Sequence, residues 1–315
     1  MRLRQWASRQ SGSCDFKSPS ERALCKLRSK LPRRGIPVNK LSRLSVLIAT
    51  LFAASVSFNA SADTAITPAS TAANGFHHPG NASPTVIFVH GAFADSSSWN
   101  VEISVLRSAG YNVIAYANPL RGIANDAAGL DALVKSVNGP VVLVGHSYAG
   151  MVVSQVAAQE PSVKALVYVA ALIPVVGEST NDLVTKFPGS ELVSANLHSV
   201  AAAGGQTDVY INQDKYGTVY AGGLSQPDIT VAAAGERPLA AAAFAEAATL
   251  AAPVSVPKWE IVATQDHAVP TQVQEFMANR AGARIVRTRS GHDVPAAQPF
   301  VVTQVVEEAI AAASK

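Results

Sequence analysis

Ser147 sits at the apex of Gly145-His146-Ser147-Tyr148-Ala149-Gly150. The run Pro140–Val144 ahead of it is short, apolar and β-branched, and residues 151–159 behind it carry apolar side chains at helical spacing. A strand, a tight turn and a helix in that order lift a serine hydroxyl above the sheet edge, over a helix N-terminus. Strand and helix pass close together there, so small residues are needed on both sides. Gly145 fills the first such position. Ala149 stands where the G-x-S-x-G pattern has its second glycine, and Gly150 follows.

A serine hydroxyl is a poor nucleophile at neutral pH. It needs a base within hydrogen-bond reach, and the base needs an acid to fix its tautomer and stabilise its cation. In doubly wound sheets functional groups gather at the carboxyl ends of strands. Asp266 follows the strand-like run 258–263, and His292 follows the run 284–288. The set expected to do chemistry is therefore Ser147 as nucleophile, His292 as base and Asp266 as acid. Among the other histidines, His77 and His78 fall in a low-complexity stretch, and His198 falls in an alanine-rich segment. His267 adjoins Asp266, His146 is expected to point into the packing of the turn, and His90 to hydrogen-bond backbone. Asp293 adjoins the base and is read as a loop cap.

Acyl transfer places negative charge on a carbonyl oxygen, and two backbone N–H groups must face it. One is expected from Tyr148, next after the nucleophile. The other is expected from Ala92, in His90-Gly91-Ala92-Phe93 after the first strand, where Gly91 lets the backbone bend inward.

The elements that must position these groups alternate along the chain. Strands are expected at 85–89, 111–116, 140–144, 163–170, 258–263 and 284–288, with helices between them and a last helix over 301–312. That alternation predicts an α/β fold, a doubly wound and mostly parallel sheet covered on both faces. It breaks over residues 172–256, which are rich in alanine and poor in strand signals; this insertion is expected to form a cap.

Charge is distributed unevenly. Twelve of the 25 Lys and Arg lie in residues 1–43, against Asp15 and Glu21, and residues 44–62 carry no charge. The remainder holds thirteen basic and twenty acidic residues. The overall pI near 8.9 therefore belongs to the N-terminal stretch and does not argue for nucleic acid binding by the folded part. A basic stretch, the apolar run 44–56 and Ala60-Ser61-Ala62 together read as a secretory leader over 1–62, cut after Ala62. The product is expected to be secreted or periplasmic, with no stable membrane anchor. Residues 63–83 read as a flexible linker and 84–315 as the folded domain. Cys14 and Cys25 both lie in the leader, so the remaining chain has no disulfide and no cysteine metal site.

Val89-His90-Gly91-Ala92-Phe93, residues 94–99, the Gly145–Gly150 turn, the Asp266 turn and Gly291-His292, in the chain order Ser, Asp, His, resemble the α/β-hydrolase superfamily. More narrowly, they resemble its small cap-bearing branch of bacterial esterases, plant methyl esterases and hydroxynitrile lyases. The resemblance covers roughly residues 84–312. It implies no cofactor and no metal, a small-molecule ester as substrate, and hydrolysis through an acyl-enzyme. It leaves open a hydroxynitrile lyase, a cofactor-free perhydrolase and a slow-turnover ligand-binding protein. In the lyases a lysine directly follows the catalytic histidine and stabilises departing cyanide; here that residue is Asp293. A carboxylate there would repel the anion, since a unit charge pair at roughly 4 Å and an effective dielectric near 20 is worth about 4 kcal/mol.

Overall fold

A computed structural model of the chain describes residues 83–315. The leader expected over 1–62, His77, His78, both cysteines and all but the last residue of the linker lie outside the described residues.

The chain enters at β1 (Thr85–Val89), a fully buried strand, then passes through a short 3-10 turn into α1 (Asn100–Ser108). Asp95 caps that turn by accepting from the Ser97 N–H at 2.8 Å. β2 (Asn112–Tyr116), α2 (Ile123–Ser136), β3 (Val141–His146), α3 (Ala149–Ala157) and β4 (Val163–Val169) follow. The insertion comes next, with α4 (Thr180–Val184), β5 (Leu197–Ala201), β6 (Thr207–Ile211), α5 (Gln213–Val219), α6 (Gln226–Gly235), β7 (Leu239–Ala240) and α7 (Ala241–Ala245). The alternation resumes with β8 (Lys258–Ala263), α8 (Thr271–Ala281), β9 (Arg284–Thr288), α9 (Val294–Ala297) and α10 (Pro299–Ala313). Gly282 ends α8 in the left-handed region at φ 67°, where a Cβ would be strained.

Six strands make one sheet in the order β2-β1-β3-β4-β8-β9, and every neighbouring pair is parallel. Successive side chains of a strand point to opposite faces. Val86 and Phe88 of β1, with Val142 and Val144 of β3, pack under α1 and α10 through Leu106, Val302 and Val306. Ile87, Val89 and Leu143 face the other way, against Leu130 of α2, Val153 of α3 and Met277 of α8. Both faces are covered, which is the doubly wound arrangement. Leu106 is fully buried, and its burial contributes about 1.5–3 kcal/mol. The chain leaves β1 toward β2 on one side and returns to β3 on the other. The carboxyl ends of β1 and β3 therefore flank the crevice where strand order reverses.

The insertion over 172–256, expected to be poor in strands, carries three short ones. β5, β6 and β7 form an antiparallel sheet. β5 escaped notice because it is exposed along nearly its whole length and carries no apolar alternation. The insertion is tied to the sheet domain by charge-assisted contacts. Arg121 meets Asp208 of β6 at 2.6 Å and donates to the Pro238 carbonyl at 3.1 Å. The Glu246 carboxylate accepts from Ile123 and Ala124 N–H at 2.7 and 2.9 Å, at the positive end of α2. Among the described residues, no helix is long and apolar enough to cross a membrane.

Candidate active site

Ser147 directly follows β3 and lies in the left-handed region, with φ 55°. A non-glycine residue there is strained, and the surroundings must hold it. They do so through its backbone: its N–H donates to the Val169 carbonyl at 3.2 Å, and its carbonyl accepts from Gly150 at 3.0 Å and Leu172 at 3.1 Å. A Cβ on Gly145 would lie 3.1 Å from the Ala149 carbonyl oxygen, and one on Gly150 would lie 2.1 Å from that of Leu172. The tightest approach is thus at Gly150. Ala149 is buried but fits where the motif has its second glycine.

The structure brings Ser147, His292 and Asp266 into one chain of hydrogen bonds. His292 Nε2 lies 2.7 Å from Ser147 Oγ, and His292 Nδ1 lies 2.7 Å from Asp266 Oδ2. All three are buried; Ser147 is 8% exposed and His292 1%. Asp266 is fixed on both oxygens. Oδ1 accepts from Ala268 and Val269 N–H, each at 2.8 Å, and Oδ2 also accepts from Gln274 Nε2 at 2.8 Å. Gln274 further donates to the Val269 carbonyl at 2.7 Å and accepts from the Ala263 N–H at 2.9 Å. It therefore locks the Asp266 turn to the end of β8. Sequence reasoning missed Gln274; a polar residue on the otherwise inward face of α8, eight positions after the acid, was the available signal.

The oxyanion candidates lie at the switch crevice. A Cβ on Gly91 would come within 2.7 Å of both His146 O and Ser147 Cβ, so only glycine lets this loop run against the turn. Among the described residues, neither the Ala92 nor the Tyr148 N–H is taken by an acceptor, whereas Phe93 N–H donates to the Arg237 carbonyl at 2.9 Å. The Phe93 carbonyl accepts from Tyr216 Oη at 2.8 Å, so the insertion grips this loop twice. Tyr148 is anchored by its own hydroxyl, which donates to Asp126 Oδ2 at 3.1 Å.

His90 bonds backbone, as expected. Asn118 N–H donates to its Nε2 at 3.0 Å, which leaves Nδ1 to donate to the Gly91 carbonyl at 2.9 Å. Burial lowers its pKa to about 4. His146 is fully buried, with Nε2 3.0 Å from the His292 carbonyl, and burial holds its pKa well below the ordinary range. Its ring and that of Tyr220 pack on the His292 ring, with centroids 4.8 and 5.0 Å away. His198 and His267 are bonded elsewhere, to Asn212 and Glu191. Asp293 stands at the N-cap position of α9, where the Ala296 N–H favours its charged form. Its Oδ1 has no partner among the described residues, and burial raises its pKa to about 6.

A cleft of about 500 Å³ opens between α6 and the loop before α1, with Asp293 and Tyr216 in its wall. Neither Ser147 nor His292 lines it, so the hydrogen-bond geometry marks the site better than the cavity does. Among the described residues, no group of three or more His, Cys, Asp or Glu could hold a metal ion.

A strained serine between parallel strand and helix, bonded to a histidine and through it to a carboxylate, defines a hydrolase-type centre on a doubly wound sheet. The chain belongs to the alpha/beta hydrolase family, whose model matches residues 86–305. The chain is 31% identical over 113 residues to a carbendazim hydrolyzing esterase from a Nocardioides species, covering 32% of this chain and 47% of that protein. It is 32% identical over 114 residues to a probable hydrolase from a Phoma species, again covering 47% of that protein. The match thus spans about half the length of these two curated relatives. A third relative, the alpha/beta hydrolase nvfD of Aspergillus novofumigatus, is 25% identical over 72% of this chain and 96% of its own. Among solved structures, polyneuridine aldehyde esterase superposes with a TM-score of 0.63 at 19% identity, over 72% of this chain and 99% of its own. A pyrethroid hydrolase from Sphingobium faniae gives 0.59 at 17%, over 72% and 97%. At that identity the likeness is one of fold.

Proposed function

We propose that this chain is a serine hydrolase that cleaves small carboxylic esters through an acyl-enzyme. The observation that carries the reading is the buried chain of two 2.7 Å contacts from Ser147 through His292 to Asp266. Ser147 Oγ attacks the ester carbonyl carbon while His292 Nε2 takes its proton. The negative charge on the carbonyl oxygen is met by the Ala92 and Tyr148 N–H groups. His292 returns the proton to the departing alcohol oxygen as the carbon–oxygen bond breaks. Water, deprotonated by His292, then releases the acid and restores the serine. Asp266 holds Nδ1 protonated and stabilises the imidazolium.

The test is pre-steady-state hydrolysis of nitrophenyl esters graded by acyl length. A burst equal to the enzyme concentration, then steady turnover, is expected, and Ser147→Ala should abolish both. A burst without turnover would make the protein a slow-releasing binder. Turnover that survives in Ser147→Ala would place the nucleophile elsewhere. Cyanide release from mandelonitrile is measured alongside. The buried Asp293 carboxyl beside His292 disfavours expulsion of an anion, so no Ser147-dependent release is expected.

The proposal extends to export, on the strength of the sequence of residues 1–62. Protein recovered from its native host should begin at or near Asp63, with an acidic pI. An intact mass that retains residues 1–62 would sink the export proposal.

A further inference from the structure

Glu260 sits in the middle of β8, fully buried, in register with Tyr168 of β4 and Ile285 of β9. Burying a carboxyl within a parallel sheet is costly unless it is neutral and bonded. Burial pushes its pKa well above the carboxylate range, against the opposing pull of the Ala171 N–H, and nearby Asp266 pushes it further. Its Oε1 accepts from the Ala171 N–H at 3.1 Å, and its Oε2 has no partner among the described residues. The proposed chemistry makes no use of this acid.

What Glu260 holds is the turn after β4. Ala170 lies in the left-handed region at φ 44°, where a Cβ is disfavoured. Its N–H donates to the Ile261 carbonyl at 2.9 Å. The Leu172 N–H donates to the Ser147 carbonyl at 3.1 Å, and the Ser147 N–H donates to the Val169 carbonyl at 3.2 Å. Gly150 leaves no room for a Cβ against Leu172. Two strained turns, Ala170 and Ser147, are thus clasped to each other. The Ala171 amide lies between the two bonded residues, and Glu260 is its partner.

We propose that Glu260 is a positioning residue for the nucleophile: its carboxyl oxygen fixes Ala170–Leu172, and through the Leu172 N–H it fixes the backbone that aims Ser147 Oγ at His292. This rests on the reading of Ser147 as nucleophile. The carbonyl-type acceptor matters here, and the negative charge does not.

Two variants test it. Glu260→Gln keeps an acceptor oxygen, and Glu260→Leu removes it at similar volume. At a temperature where both are folded by circular dichroism, Glu260→Leu should lower kcat for a nitrophenyl ester about tenfold or more with little change in KM, because small misplacements of reacting groups are expensive. Glu260→Gln should restore kcat to near wild type across the whole pH profile. Amide hydrogen exchange at Ala171 and Leu172 should be faster in Glu260→Leu than in wild type or Glu260→Gln, a readout independent of turnover. A folded Glu260→Leu with wild-type kcat and wild-type exchange overturns the proposal. So does a Glu260→Leu that fails to fold, since the role is then one of core stability. A Glu260→Gln as impaired as Glu260→Leu overturns it by showing that the proton matters. If Ser147→Ala retains ester turnover, the serine reading fails, and the exchange measurement still decides whether Glu260 holds the clasp.

Discussion

At the scale of single residues, the positions that would do chemistry were legible because each follows a strand and each has a type that acyl transfer requires. Ser147, Asp266 and His292 are far apart in sequence, yet parallel topology brings strand ends together. What the sequence hid is the shell that fixes them. Gln274 has no motif; its importance comes from donating to Asp266 Oδ2 and Val269 O while accepting from Ala263 N. Asp266→Asn should lower kcat by up to about 10⁴-fold, since an amide turned toward Nδ1 favours the wrong tautomer. Gln274→Leu should give a smaller fall in kcat with KM little changed, because it removes one of four donors to the carboxylate and leaves the His292 bond. Steady-state kinetics on the two variants checks the order. A Gln274→Leu enzyme with wild-type kcat would show that the remaining donors suffice.

At the scale of elements, the turn between β3 and α3 shows where a pattern match and a packing requirement part company. The sequence pattern places its second glycine at position 149, where this chain has alanine. The backbone contact that excludes a side chain is at Gly150, against the Leu172 carbonyl. Gly150→Ala should therefore cost roughly 1–3 kcal/mol of stability through overpacking, and should displace the turn and reduce kcat with it. Ala149→Gly should leave kcat close to wild type. Thermal unfolding and kinetics on the pair make the comparison, and equal effects would mean that the site tolerates a shift of the Leu172 backbone. The central strands β1, β3, β4 and β8 were legible as short, buried, mostly apolar runs bounded by turns, and the partly buried edge strands β2 and β9 by their place in the alternation. The insertion was not, since alanine supports either regular structure and exposed β5 has no inward face to reveal it.

At the scale of the whole molecule, buried titratable groups set how stability depends on pH. Glu102 is fully buried, neither oxygen has a partner among the described residues, and burial raises its pKa to about 8 from 4.5. Above pH 4.5 the unfolded chain loses this proton while the folded one keeps it. Stability from Glu102 is therefore complete below 4.5 and is lost as pH rises toward 8, at up to about 1.4 kcal/mol per pH unit. His90 has the opposite sense: its folded pKa near 4 lies below 6.5, so its contribution is complete above 6.5 and is lost as pH falls toward 4. Glu102→Gln should flatten the decline in unfolding free energy between about pH 5 and pH 8. Denaturant titrations across that range measure it, and a variant with the wild-type slope would mean that Glu102 ionises in the folded protein. Finally, the insertion meets the loop of the proposed base backbone to backbone. Gly291 N–H donates to the Gly222 carbonyl at 3.1 Å, Asp293 N–H donates to that of Tyr220 at 3.0 Å, and a Cβ on Gly291 would lie 2.6 Å from Gly222 O. For anyone exchanging the insertion of this scaffold, residues 220–222 belong with the loop of the proposed base. A chimera that replaces them along with the rest of the insertion discards the brace that sets His292, whatever new segment it brings.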